Sequence, residues 1–147
     1  MSTVSLVIPV YNEAENVEIL LKEVDDAVSS LKLKSEIIFI NDGSRDKTYE
    51  CLESLFLKFP RLKVINFRRN FGQTSAMVAG FDHAAGEIIV AMDGDGQNNP
   101  CDIPRLIEKI HEGYDIVSGW RKNRQDKFIT RRIPSMIANK IISLSTG

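Results

Sequence analysis

The sequence predicts an α/β fold: a mostly parallel sheet with helices on both faces. Three observations carry that expectation. Short apolar, β-branched runs alternate with longer stretches of helical periodicity, those stretches are long enough for right-handed crossovers, and polar clusters follow the runs.

Val4–Val10 (VSLVIPV) is the first buried strand. Val17, Leu20, Leu21, Val24, Val28 and Leu31 then recur at helical intervals and make one face of an amphipathic helix. Glu36–Ile40 is the second strand and runs into Asn41-Asp42-Gly43-Ser44. Asp46 is placed to cap a helix with apolar positions Tyr49, Leu52, Leu55, Phe56 and Phe59, which Pro60 stops. Leu62–Phe67 is the third strand. Gln73–Ala84 follows as a helix with a small face (Ala76, Ala79, Gly80) suited to close packing on a sheet. Glu87–Met92 is the fourth strand and Asp93–Pro100 a polar loop. Asp102 caps the next helix, with Pro104 near its first turn, where a missing N–H costs nothing. Leu106, Ile107 and Ile110 are its apolar positions, and Gly113 ends it. Ile116-Val117 centres a fifth strand running to Trp120.

The last stretch differs. Lys122, Arg124, Lys127, Arg131, Arg132 and Lys140 make it basic, and Ile133, Ile137, Ile141 and Leu144 form a helical stripe broadened by Met136 and Ile142. The expected organisation is therefore a core over residues 1–121 and a basic amphipathic segment over 122–147. The chain reads as C-terminally truncated, and the uncovered stripe is a route to a homo-oligomer.

Composition narrows the function classes. With 43% hydrophobic and 27% charged residues the chain is neither disordered nor fibrous. Nineteen Lys+Arg against twenty Asp+Glu leave a net charge of -1, which argues against nucleic acid as a partner. No apolar run reaches the roughly 18–20 residues of a spanning helix, and the first residues lack the pattern of a signal peptide, so the chain by itself is expected to be soluble. Two cysteines, Cys51 and Cys101, make neither a metal quartet nor a disulfide framework and fit a reducing setting. His83 and His111 read as surface or helix-end residues.

In open parallel sheets ligands sit outside the carboxyl ends of the strands. The polar clusters fall there: Tyr11-Asn12-Glu13, Asn41-Asp42-Gly43, Arg68-Arg69-Asn70, Asp93-Gly94-Asp95 and Arg121. Asp93 and Asp95, separated by one small residue, can both approach a divalent cation, and Gln97 adds an oxygen. Such hard donors suit Mg²⁺ or Mn²⁺ that keeps open positions for phosphate. An EF-hand starting at Asp93 fails, because Asn98 and Pro104 stand where it needs glycine and glutamate. The glycine-rich fingerprints of dinucleotide and P-loop sites are absent. Pro9-Val10-Tyr11-Asn12-Glu13 offers a rigid turn, an aromatic ring and a carboxylate that can stack on a base and bond its edge or a ribose. Asn12 serves equally as a helix N-cap and Glu13 as a first-turn acid. Asp42 can accept from the base or act as a turn aspartate.

Together these motifs identify a family. Val-Ile-Pro-Val-Tyr-Asn-Glu (7–13), Asn-Asp-Gly-Ser-x-Asp-x-Thr (41–48), Arg-Asn-Phe-Gly (69–72) and Asp-Gly-Asp-Gly-Gln (93–97) resemble the family 2 inverting glycosyltransferases. The nearest branch is that of dolichyl-phosphate mannosyltransferases and bacterial polyprenyl-phosphate glycosyltransferases, which Ser118-Gly119-Trp120-Arg121 and Arg131-x-x-Pro134-Ser135-x-x-Ala138-Asn139 also fit. The resemblance implies a GT-A, Rossmann-like fold. It implies nucleoside contacts from Pro9, Tyr11, Glu13, Ile40 and Asp42, with Asn12 beside them. It also implies a metal and pyrophosphate segment at Asp93, Gly94, Asp95 and Gln97, and phosphate contacts from Arg121 and Arg131. Asp95, Arg121 and Arg131 are thus the candidate catalytic residues. The departures are Gly94, commonly alanine in the relatives, and Asn98-Asn99, where histidine or aspartate with proline is usual.

The reaction so implied transfers a sugar, with inversion, from a UDP- or GDP-linked donor to a dolichyl or undecaprenyl phosphate at the cytoplasmic face of a membrane. The membrane contact would come through a C-terminal part beyond this chain. The alternatives are a family 2 transferase acting on a sugar hydroxyl, which would need a general base, and a non-catalytic nucleotide-binding fragment.

Overall fold

The computed structural model of the chain describes residues 3–31 and 33–119. Its elements are β1 (Thr3–Val10), α1 (Val17–Ser29), β2 (Lys34–Asn41), α2 (Thr48–Phe56), β3 (Leu62–Asn66), α3 (Gln73–His83), β4 (Ile88–Ala91), a 3₁₀ turn (Pro100–Asp102) and α4 (Ile103–His111). The four strands form one sheet in the order β3-β2-β1-β4. All pairings are parallel, with Val4 opposite Ser35 of β2 on one side and Ile88 of β4 on the other. The chain divides between Val117 and Ser118 into two units, and these elements all belong to the first.

β1 is apolar without a break from Leu6 to Val10 because both its faces are covered. Val4, Leu6, Ile8 and Val10 join Ile37 and Phe39 of β2 in a core with Val17, Leu20, Leu21, Val24 and Val28 of α1, Leu52 and Leu55 of α2 and Ile103 and Ile107 of α4. Val7, Ile38 and Ile40 point the other way and meet Ala76 of α3. The small face of α3 is needed there: a Cβ on Gly80 would lie 2.3 Å from Val7 Cγ1 and 2.9 Å from Ile40 Cδ1. Helices therefore lie on both faces, as the alternation of periods predicts.

Several local expectations change. The buried stripe of α2 is Thr48, Leu52 and Leu55, with Phe59 packed beyond its end. Tyr49 and Phe56, one position round the helix, are exposed. Asp46 does accept from a first-turn amide, Thr48 N–H at 3.0 Å, although the residue bounding the helix is Lys47. Asp102 makes no cap bond; Asn99 does the capping instead, its Oδ1 accepting from Cys101 N–H at 3.0 Å to start the 3₁₀ turn that leads into α4. The fifth strand does not form over the described part of its range. Residues 116–119 have no ladder partner and Ile116 is 87% exposed. Two apolar residues in a row specify a strand only when a neighbouring strand is present to pair with them. Trp120, Arg121, Arg131 and the 122–147 stripe lie outside the described residues.

Cys51 packs half-buried against the core and Cys101 is exposed, both as free thiols. His83 and His111 are the last residues of α3 and α4. Among the described residues no helix is long and apolar enough to cross a membrane.

Candidate functional site

The chain goes from β1 outward through β2 to β3 and then returns to place β4 on the other side of β1. That reversal opens a crevice outside the carboxyl ends of β1 and β4. Its floor is the last turn of the sheet, where Pro9 of β1 is in register with Ile40 of β2. Both are buried, Ile40 completely. The Ile40 side chain lies under α3, so it lines the core and not the crevice, and only its backbone faces the strand end.

The loop after β1 is shaped by its neighbour after β2. Asn12 adopts φ +56, the left-handed region that asparagine tolerates better than most residues. Its N–H donates to Ser44 Oγ at 2.9 Å, and its Oδ1 accepts from Arg45 N–H at 2.8 Å. Glu13 N–H donates to Thr48 Oγ1 at 2.9 Å and Ala14 N–H to Asp46 Oδ2 at 3.1 Å. Asn12 is therefore a clasp between two loops and not the N-cap of α1, which begins only at Val17. The Glu13 carbonyl accepts from the N–H groups of Asn16 and Val17, and Glu13 Oε2 accepts from Asn16 Nδ2 at 2.7 Å. Glu13 thus precedes the helix and does not sit within its first turn. Tyr11, 40% exposed, presents its ring at the surface of this loop. Burial pushes the Asp46 carboxyl up, but bonds from the Thr48 hydroxyl and from the Thr48 and Ala14 amides outweigh it and hold Asp46 below the usual carboxylate range.

Asn41 and Asp42, buried at the end of β2, are both committed to shape. Asn41 Nδ2 donates to Asn66 Oδ1 at 2.8 Å, and Asn41 Oδ1 accepts from Ser44 N–H at 3.2 Å. Asp42 Oδ1 accepts from Phe71 N–H at 2.8 Å and Oδ2 from Gly72 N–H at 3.0 Å, which anchors the loop before α3. Gly43 has φ +64, and a Cβ there would come within 2.2 Å of the Arg69 carbonyl carbon, so no other residue fits this approach. The loop after β3 carries Arg69 over the Phe71 ring at 4.8 Å, with Phe67 edge-on to that ring.

The loop after β4 brings the acidic pair to the crevice. Gly94 is buried, and a Cβ on it would lie 2.5 Å from the Pro9 carbonyl oxygen and 2.5 Å from Val10 Cγ1. The glycine thus seats this loop directly on the end of β1. Asp93 Oδ1 accepts from Gln73 Nε2 at 2.7 Å, and Asp95 Oδ1 accepts from Gln97 N–H at 3.0 Å. Asp95 and Gln97 are exposed. Gln97 also lines a cavity of about 530 Å³ against Glu23, Asp26 and Ala27 of α1. Among the described residues no three His, Cys, Asp or Glu side chains gather closely enough to hold a metal alone. Two carboxylates on one loop, with Gln97 two residues on, nonetheless fit Mg²⁺ or Mn²⁺, which commonly takes one or two carboxylates and completes its shell with water and substrate phosphates.

Of the residues singled out from the sequence, Tyr11, Asn12, Glu13, Asp42, Asp93, Gly94, Asp95 and Gln97 sit on the loops after β1, β2 and β4, and Pro9 is the next-to-last residue of β1 itself. Sequence reasoning missed the stitching residues Ser44, Thr48 and Gln73. For Ser44 and Thr48 the signal was a run of short polar side chains directly after β2, the composition of loops bonded through side chains; Gln73, at the start of α3, carried no such signal.

A model described as glycosyl transferase family 2 matches residues 5–146. Two proteins from strains of Klebsiella pneumoniae, each an undecaprenyl-phosphate 4-deoxy-4-formamido-L-arabinose transferase, are 43% identical to this chain over 145 residues. The match covers 98% of this chain and 44% of each relative, so the chain spans less than half the length of the curated relatives it matches. Among solved structures, mannosyltransferase PcManGT from Pyrobaculum calidifontis, in complex with GDP-Man and Mn²⁺, superposes with a TM-score of 0.60 at 24% identity, over 71% of this chain and 31% of that one. S. aureus TarS in complex with UDP gives 0.55 at 19% identity, over 82% of this chain and 40% of that one. At such identities the structural likeness speaks for the fold alone. The fold is the GT-A, Rossmann-like arrangement that the motifs imply.

Proposed function

Because the chain belongs to glycosyl transferase family 2, we propose that it forms the donor-binding part of an inverting transferase that moves a sugar from a nucleotide-sugar to a polyprenyl phosphate. The observation that carries this reading is the Asp93–Asp95 loop seated on the end of β1 beside the Tyr11–Glu13 loop, at the reversal of strand order. The acceptor is supported by the two relatives at 43% identity, whose names specify undecaprenyl phosphate.

In this reading Tyr11 stacks on the base of a UDP- or GDP-linked donor. Asn12 and Glu13 hold that loop in place, and Pro9 and Ile40 give it a backbone floor. Asp42 keeps the opposite wall fixed through the Phe71 and Gly72 amides. Asp93 and Asp95, with Gln97 nearby, would hold the divalent cation. Bound there, Mg²⁺ or Mn²⁺ supplies positive charge against the diphosphate as it leaves. Arg121 and Arg131 would contact phosphate of donor or acceptor, where forked guanidinium donors match its oxygens. A phosphate monoester has a second pKa of about 6 and is already largely anionic at neutral pH, so this acceptor needs little help from a general base. Such an acceptor is met at a membrane surface, the setting we assign to the whole protein.

Calorimetric titration of UDP and GDP into the chain, with Mn²⁺ and then with EDTA, tests the reading. One of the two nucleotides should bind more tightly with the metal, and Asp95→Ala should abolish that gain. Metal-independent affinity for both nucleotides would overturn the metal assignment, and no affinity for either would overturn the donor site.

A further inference from the structure

We infer that Gln73 is a positioning residue for the acidic pair, holding the Asp93 carboxylate in the orientation that receives the cation. The inference rests on the proposed metal role of Asp93 and Asp95 and goes one step outward from it. Gln73 is the first residue of α3, and its Nε2 donates to Asp93 Oδ1 at 2.7 Å. The direction of that bond is fixed, because an ionised carboxylate only accepts and the amide nitrogen must therefore face it.

What makes this contact more than a surface hydrogen bond is the rigidity of its base. The two residues before Gln73, Phe71 and Gly72, give their amides to the two oxygens of buried Asp42. Gly72 has φ +92, which lets the chain turn sharply into the helix. Further along α3, Ala76 is buried and Gly80 is pressed against Val7 and Ile40. The Gln73 backbone is therefore held from both sides, by a carboxylate at the end of β2 and by the close fit of the helix on the sheet. Asp93 lies on the loop after the four-residue strand β4, the outermost of the described strands on that side. The amide thus transfers the stiffness of the β2–α3 framework to a loop carboxylate. Ligand carboxylates held by an outer hydrogen bond bind metal more tightly, because the bond reduces the orientations that must be given up on binding. One consequence is that the wall opposite the Tyr11 loop and the cation site share one bracket, running Asp42, Gly72, Gln73, Asp93.

The test measures Mn²⁺ affinity of the full chain from loss of the free-ion EPR signal, at saturating UDP or GDP. Gln73→Leu keeps the approximate shape and removes the donor; it should weaken Mn²⁺ by roughly 10–100-fold, the usual effect of losing an outer-shell partner. The EPR spectrum of the bound ion should change, while nucleotide affinity in EDTA and the thermal midpoint stay as in the unmutated chain. Gln73→Asn, with an amide on a shorter arm, should fall between the two. Mn²⁺ affinity within about threefold of the unmutated chain in Gln73→Leu, far short of the outer-shell effect, would overturn the inference and leave the metal site standing. An equal loss of nucleotide affinity in EDTA would also overturn it, by making Gln73 a support of the fold only. If the unmutated chain binds no Mn²⁺ with either nucleotide, the metal reading itself falls and the inference with it.

Discussion

Gly94 shows how much a single missing methyl can control. A Cβ there would lie 2.5 Å from the Pro9 carbonyl oxygen and from Val10 Cγ1, so although alanine is common here in the relatives, in this chain Gly94→Ala requires the acidic loop and the end of β1 to shift apart. Metal-dependent nucleotide affinity should then drop by about tenfold, or about 1.4 kcal/mol, in the same calorimetric titration. Gly80 gives the corresponding result for stability. Alanine is favoured over glycine in a helix by up to ~1 kcal/mol, yet here it would be driven into Val7 and Ile40. Overpacking costs about 1–3 kcal/mol, so urea unfolding of Gly80→Ala should show a net loss of stability despite the better helix former. The sequence marked both glycines, one as the small residue between two aspartates and the other as part of a small helix face. It did not say that Gly94 is pressed against its own chain. Asn12 was legible as a polar loop residue, but its partners Ser44 and Arg45 come from another loop, and local pattern gives no register between loops.

At the level of elements, the strands and helices were legible because burial imposes period. Leu6–Val10 of β1 and Ile37–Ile40 of β2 are covered on both faces and read as continuous apolar runs, while α1 is covered on one face and reads as a stripe. Helix starts were less legible, since several polar residues precede each helix and only geometry selects among them. Asn99, not Asp102, caps the turn before α4, and Asp46 works from one residue further out than a usual cap while also reaching Ala14. Removing that side chain should cost about 1 kcal/mol, the ordinary value of a cap, so Asp46→Ala should shift the urea midpoint down without changing its slope. The fifth strand was illegible for the opposite reason. A helix carries its own hydrogen bonds, whereas a strand depends on a neighbour that a short run such as Ile116-Val117 does not name.

For the whole molecule, the amino end of the sheet is tied as firmly as the carboxyl end, and largely through Glu36. Its Oε1 accepts from Ser5 Oγ of β1 and from the Ala85 N–H before β4, and its Oε2 pairs with Lys63 of β3. Burial pushes this carboxyl up, but the bonds from Lys63, Ser5 and Ala85 prevail and leave it below the usual range. A carboxyl depressed in the folded state contributes stability above its unfolded pKa and loses it as pH falls through the folded one. Glu36→Gln should therefore cost about 1–2 kcal/mol at pH 7, with the difference closing as pH falls below the usual carboxylate range and the native carboxyl is protonated as well; urea titrations at falling pH would reveal it. The strand order also bears on how the protein is made. β1, β2 and β3 follow one another in sequence and can pair while the chain is still emerging from the ribosome, but β1 has to wait for β4, whose partner positions Ile88–Ala91 arrive much later. The crevice lies at that late seam. If the crevice holds the donor as proposed, it has no place until β4 docks, so nucleotide binding would wait for that sequence-distant contact to close.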